Sequence, residues 1–222
     1  MKNKDFKEFV LTGGPCGGKT TALKVIPKMM AKEGYKTFVV PEVPTMIFGS
    51  GAVNFPKLIA EDFDLFLEVE KNLLRAQVEL RERFRNLAKL LKDDKCIILY
   101  DRAFMDISAY VEEPHFSNLL KMEELDMDYA CHSFDSIFHL VTAADGAEDF
   151  YSLENEARFE TLEQARDADQ RVLKSWKDHT SSIQKSSFSP KVGFFKCVYF
   201  LGLSSHSVVF LFYIFCNLIF CL

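Results

Sequence analysis

Gly13-Gly14-Pro15-Cys16-Gly17-Gly18-Lys19-Thr20 is the stretch that decides how this chain folds. Its spacing fills every slot of a phosphate-binding loop, Gly then four residues then Gly-Lys-Ser/Thr, with Gly13, Gly18, Lys19 and Thr20 in the required places. Glycines let the backbone close around phosphate oxygens, so that consecutive N–H groups point inward. Lys19 is placed to reach the β- and γ-phosphates and Thr20 to ligate Mg²⁺, while the following helix adds its positive end. The flanks agree. Phe6, Phe9, Val10 and Leu11 read as a short buried strand, and Thr21–Lys32 as a helix. The expected ligand contacts are therefore Gly13, Gly14, Pro15, Cys16, Gly17, Gly18, Lys19, Thr20 and Thr21, around a nucleoside triphosphate or its phosphate tail.

Outward from the loop, four β-like segments alternate with helical ones: Phe6–Thr12, Thr37–Pro41, Cys96–Asp101 and Ser136–Val141. That alternation predicts an α/β fold of the P-loop NTPase class, a parallel sheet of about four to five strands flanked by helices. In open sheets of this kind the ligand sits beyond the carboxyl ends of the strands, which turns strand ends into site candidates. Glu42 follows the second strand in Pro41-Glu42-Val43-Pro44 and reads as a base or a water-mediated Mg²⁺ ligand. The third strand runs Ile97-Ile98-Leu99-Tyr100 into Asp101-Arg102. An apolar strand ending in Asp is the Walker-B pattern, so Thr20 and Asp101 form the expected Mg²⁺ set. Arg102 has the fork to grip phosphate oxygens, or else pairs with Asp101 structurally. Asp106 reads first as a helix cap.

After the fourth strand, Thr142-Ala143-Ala144-Asp145-Gly146 leads into a charge-rich segment. Thr161 and Gln164 make a capping box for a helix running to Trp176. Arg158 and Arg166, near its start, are candidate lid arginines over a transferring phosphate; a solvated helix with pairs such as Asp167–Arg171 is the plainer reading. Between the second and third strands, Lys57–Lys92 reads as one long helix. Its stripe is Ile59, Phe63, Phe66, Leu73, Leu80, Phe84, Leu87 and Leu91, with Glu70 and Gln77 on the same face. Gln77 is either a satisfied core group or an amide facing a ligand.

Composition sets bounds. The chain has 222 residues and a net charge of −5, enough for one full α/β domain. Residues 1–190 hold 25 basic against 32 acidic residues, and an acidic body argues against bulk nucleic-acid binding. The cysteines show no metal-ligand spacing, and Cys96 inside an apparent core strand suits a reduced, cytoplasmic protein. The N-terminus has no apolar stretch of the secretory type. The expected organisation is a nucleotide-binding domain over 1–179, a linker over 180–190 and a hydrophobic tail over 191–222. From Cys197 to Leu222 no residue is charged. Such a run is long enough to span a bilayer and so to associate the protein with membrane, and it also resembles the translated end of a truncated or spliced product. The independent tail is preferred over a third possibility, a fifth strand drawn from Val192–Leu203.

Several blocks occur in an order that resembles the TRPL translocation defect protein 14 family of P-loop proteins. They are Val10–Thr21, Val40-Pro41-Glu42, Asp101–Tyr110, Phe138–Glu148 and Phe150–Arg158, and the likeness covers about residues 5–179. The resemblance implies an AAA-type domain built more like nucleoside kinases, binding of GTP, a role in membrane-protein trafficking, and phosphoinositide contact through a second domain. Beyond His179 this sequence departs from that pattern. Three functions follow: a GTP- or ATP-binding regulatory protein using Mg²⁺; a small-molecule kinase in which Glu42 or Asp101 is the base, Gln77 reads the acceptor, and Arg102, Arg158 and Arg166 steady the phosphate; and a non-catalytic form associated with membrane.

Overall fold

The computed structural model describes residues 6–49, 60–91, 95–146, 161–179, 183–187 and 197–201. Four strands, β1 (Phe6–Gly13), β2 (Lys36–Val40), β3 (Cys96–Asp101) and β4 (Ser136–Leu140), lie parallel in the order β2-β3-β1-β4. The register sets Leu11 beside Asp101 and Thr12 beside His139. Every functional strand end therefore opens on the same edge of the sheet, as the strand alternation predicted. The crossovers are α1 (Lys19–Lys32), α2 (Val43–Phe48) with the long α3 (Phe63–Leu90), and a 3-10 turn (Phe104–Ala109) followed by α4 (His115–Met122) and α5 (Met127–His132). Helix α6 (Leu162–Ser175) begins on the Thr161–Gln164 capping box and ends at Trp176.

Central β1 is covered on both faces, and its alternation sorts two cores. Phe9 and Leu11 pack with Ala22, Ile26 and Met30, the i, i+4, i+8 stripe of α1. Val10 joins Ile98, Tyr100, Phe66, Leu74 and Phe104 on the other face.

Helix α3 departs from the expected stripe. Phe63 and Leu87 are exposed, while Phe66, Glu70, Leu73, Leu74, Arg81 and Ala88 are buried; Ile59 lies outside the described residues. The rotation has a polar cause. Arg81 enters the core because Glu8 on β1 waits there: Arg81 Nε donates to Glu8 Oε1 at 2.9 Å, and the Tyr100 hydroxyl donates to the same oxygen at 2.8 Å. The remaining guanidinium nitrogens donate to the Ser133 hydroxyl and carbonyl. The Arg81 plane covers the Phe134 ring at 3.9 Å. Glu70 has no such guanidinium, and burial alone pushes its carboxyl up to about 8, so it is protonated at neutral pH.

Residues expected to be linker and free tail contain two further strands. β5 (Ile183–Ser187) and β6 (Cys197–Leu201) pair antiparallel, and β6 lies antiparallel on β4 with Ile137 opposite Leu201. The recruited strand, rather than an independent tail, describes 197–201. Pairing with β6 gives the outer edge of β4, all five of whose residues are buried, partners for its backbone N–H and C=O groups. Residues 202–222 lie outside the described residues. Among those described, no helix is long and apolar enough to cross a membrane.

Candidate functional site

The turn from β1 into α1 is shaped by steric exclusion. Gly13 has φ +136, and a Cβ there would lie 2.0 Å from the Leu140 carbonyl oxygen on β4, so no other residue fits. Pro15, Cys16 and Gly17 continue the loop, with Cys16 in the left-handed region at φ 54. Gly18 caps α1, and Thr20 and Thr21 stand exposed on its first turn. The Lys19 ammonium folds back into the loop and donates to the Gly13 and Gly14 carbonyls at 2.8 and 2.9 Å. Burial, reinforced by the Arg102 guanidinium, lowers its pKa to about 8 against the pull of Glu42, Asp101 and Asp106.

A measurable consequence follows from that lysine. Phosphate oxygens favour the ammonium, so above pH 8 the free protein must take up a proton in order to bind. Affinity for the Mg²⁺-bound triphosphate should be greatest near pH 7, falling below pH 6 as Asp101 takes up a proton and above pH 8 as Lys19 loses one, there approaching about tenfold per pH unit. Calorimetry in two buffers of different ionisation enthalpy would detect the proton uptake directly. A flat profile through pH 9.5 would remove Lys19 from the binding step.

Three of the predicted groups converge beyond β2 and β3. Glu42 caps α2, and its Oε2 accepts from the Thr45 hydroxyl at 2.6 Å. Its Oε1 accepts from Arg102 Nε at 2.7 Å. Burial alone would raise the Glu42 carboxyl; Arg102, Thr45 and Lys19 outweigh it and hold the group below its usual range. Arg102 itself is in the left-handed region at φ 65, which turns the chain sharply after β3. Its Nη1 donates to Asp106 Oδ1 at 3.2 Å. The guanidinium thus ties Glu42 to Asp106, rather than pairing with neighbouring Asp101.

Asp101 carries the more telling oxygen. Its Oδ1 is buried with no hydrogen-bond partner, and burial, with Glu42 adding to it, raises the carboxyl to about 6. An orphaned carboxylate oxygen at a Walker-B strand end fits a place in the shell of Mg²⁺. One carboxylate with the Thr20 hydroxyl is the sparse donor set of a Mg²⁺ held mainly by phosphate oxygens and water. When bound, that ion would neutralise charge developing on the phosphates.

Gln77 comes to the same place. With Asp101, Arg102, Tyr100, Val40 and Val43 it lines a cleft of about 10 Å³, room for about one water, and its Oε1 is buried without a partner. Arg166 sits on α6 with Nε donating to the Ala144 carbonyl at 2.7 Å, which steadies the turn after β4. Arg158 lies outside the described residues. Asp106 does cap its 3-10 turn, accepting from Ala103 N at 3.0 Å, and goes further: it also accepts from the Thr12 hydroxyl and from Trp176 Nε1.

Sequence reasoning missed Asp169, His139 and the role of Thr142. Asp169 Oδ1 accepts from the Gly14 amide at 2.8 Å, while the Thr142 hydroxyl donates to the Pro15 carbonyl. Those two contacts to the loop span 155 and 127 residues, and no local spacing announces such a contact. A parallel sheet, a glycine loop that tolerates no Cβ at Gly13 and a lysine lodged at its mouth define a P-loop nucleotide-binding domain. The family model described as AAA domain matches residues 8–185, and the chain belongs to that family. Among curated proteins the chain finds no significant match.

Proposed function

We propose that this protein binds a nucleoside triphosphate with Mg²⁺ and acts as a regulatory switch of the intracellular membrane-trafficking type. The observation that carries the metal-bound nucleotide is the buried, unpartnered Asp101 Oδ1 beside the Lys19 loop. The resemblance of the sequence blocks to the TRPL translocation defect protein 14 family supports GTP over ATP and the trafficking role; the phosphoinositide contact that it implies belongs to a second domain, where this sequence departs from the pattern beyond His179. Calorimetry with GTP, ATP and their diphosphates, with and without Mg²⁺, tests the reading. Asp101→Asn keeps the shape and removes the metal-facing charge. It should weaken Mg²⁺-dependent binding about tenfold or more while leaving metal-free binding nearly unchanged. Equal loss in both conditions would make Asp101 structural.

A second reading has its own observation, the unpartnered Gln77 oxygen in the cleft that Asp101 shares. In that reading the protein is a small-molecule kinase. The acceptor presents an N–H to Gln77 and a hydroxyl toward Glu42 and Asp101. Phosphate transfer to one member of a nucleoside panel, lost in Gln77→Leu with triphosphate affinity retained, separates it from the switch.

A further inference from the structure

The phosphate loop is held from outside as well as by its own turn. Asp169, in the middle of α6, directs one oxygen at three N–H groups. Its Oδ1 accepts from the Gly14 amide at 2.8 Å, the Thr142 amide at 3.1 Å and His139 Nε2 at 3.1 Å. The side chains of Asp169 and His139 are 1% and 0% exposed. The fit leaves no slack: a Cβ on Gly14 would lie 2.7 Å from both Asp169 Cβ and Oδ1. Thr142 completes the clamp, since its hydroxyl donates to Pro15 and accepts from the Ala144 amide. The Gly14 amide is thereby turned toward α6, and the later loop amides remain for an anion.

The same helix reaches the opposite side of the site. Trp176 Nε1, just past the end of α6, donates to Asp106 Oδ2 at 3.2 Å. Asp106 in turn holds Thr12 and Arg102, and Arg102 holds Glu42. One helix therefore sets both the phosphate loop and the acidic groups facing it.

We propose that Asp169 is a positioning residue for triphosphate binding: from α6 it fixes the curvature of the phosphate loop, so that nucleotide affinity depends on how α6 is seated. This rests on the reading of the loop as a triphosphate site. Burying a carboxyl group is costly unless it is hydrogen-bonded; Asp169 directs all three of its hydrogen bonds through Oδ1 at the loop and its neighbours, while Oδ2 is buried without a partner.

The test compares Asp169→Ala with Asp169→Asn, using Mg²⁺ with GTP and inorganic tripolyphosphate as probes. Asp169→Ala should weaken both probes about tenfold or more, since two loop-shaping hydrogen bonds disappear. Asp169→Asn should stay within about threefold of wild type, because an amide oxygen still accepts from Gly14 and Thr142. Without nucleotide, amide exchange at Gly14 should quicken about tenfold in the alanine variant and hardly change in the asparagine variant. Should the alanine variant fail to fold, Asp169→Ser, too short to reach both amides, takes its place. Wild-type affinity in the alanine or serine variant, with affinities referred to folded protein, overturns the proposal. Loss in the asparagine variant as large as in the alanine variant also overturns it, because charge and not position would then matter. If wild type itself binds neither probe, the triphosphate reading falls and this inference with it; if wild type binds and the alanine variant binds equally, only the inference falls.

Discussion

Replacing Lys19 with alanine should lower triphosphate affinity by about 100-fold or more, the loss of two charge-assisted hydrogen bonds to phosphate. The thermal midpoint should stay where it is or rise. Both expectations come from the same geometry. Among the described residues the ammonium hydrogen-bonds to the Gly13 and Gly14 carbonyls, and Lys19 belongs to neither hydrophobic core. Its lowered pKa, about 8, shows that the charged form is disfavoured where it sits, so its removal relieves a desolvation cost. Calorimetry and thermal melting on the same preparation decide the matter. Undiminished binding would mean that the loop holds something other than phosphate, and a large fall in melting temperature would make Lys19 a structural group.

The largest effect on stability is expected at Glu8, far from the phosphate loop. Glu8→Ala removes the acceptor for Arg81 Nε and the Tyr100 hydroxyl, and the ion-pair partner of Arg85. Arg81 is 1% exposed and would remain as a buried cation with no carboxylate, held by Ser133 and the Phe134 ring. Breaking a buried pair from one side costs about 3–5 kcal/mol, a midpoint shift on the order of 10 °C for a domain of this size. Replacing both partners with methionine should recover much of that loss, because no uncompensated charge is left behind. Urea denaturation of wild type and the two variants would show the asymmetry. Similar stabilities for Glu8→Ala and the double replacement would mean that the pair contributes packing and not charge compensation.

What could be read without coordinates was whatever depends on residues close together in the chain. The strand-loop-helix around Gly13–Thr20, the apolar run into Asp101 and the Thr161–Gln164 capping box each encode their geometry locally, and each stands where its pattern put it. Asp106 shows the limit. Its local role, capping a turn, was legible; its bonds to Thr12 and Trp176 span 94 and 70 residues and were not. The stripe of α3 was misread at Phe63 and Leu87 for a related reason, since hydrophobicity alone cannot foresee that an arginine will be drawn inward by a glutamate on β1.

Glycine spacing, strand alternation and caps act over a few residues, so the class of fold and the phosphate loop are legible in the chain. The side chains that support that loop and the closure of the sheet edge emerge from packing alone. Asp169 reaches Gly14 across 155 residues, and β6 pairs with β4 where a free tail was expected. In both cases the deciding force is the need of buried polar groups for a partner. That need is met by whichever segment the fold brings near, and nothing in the local sequence names it in advance.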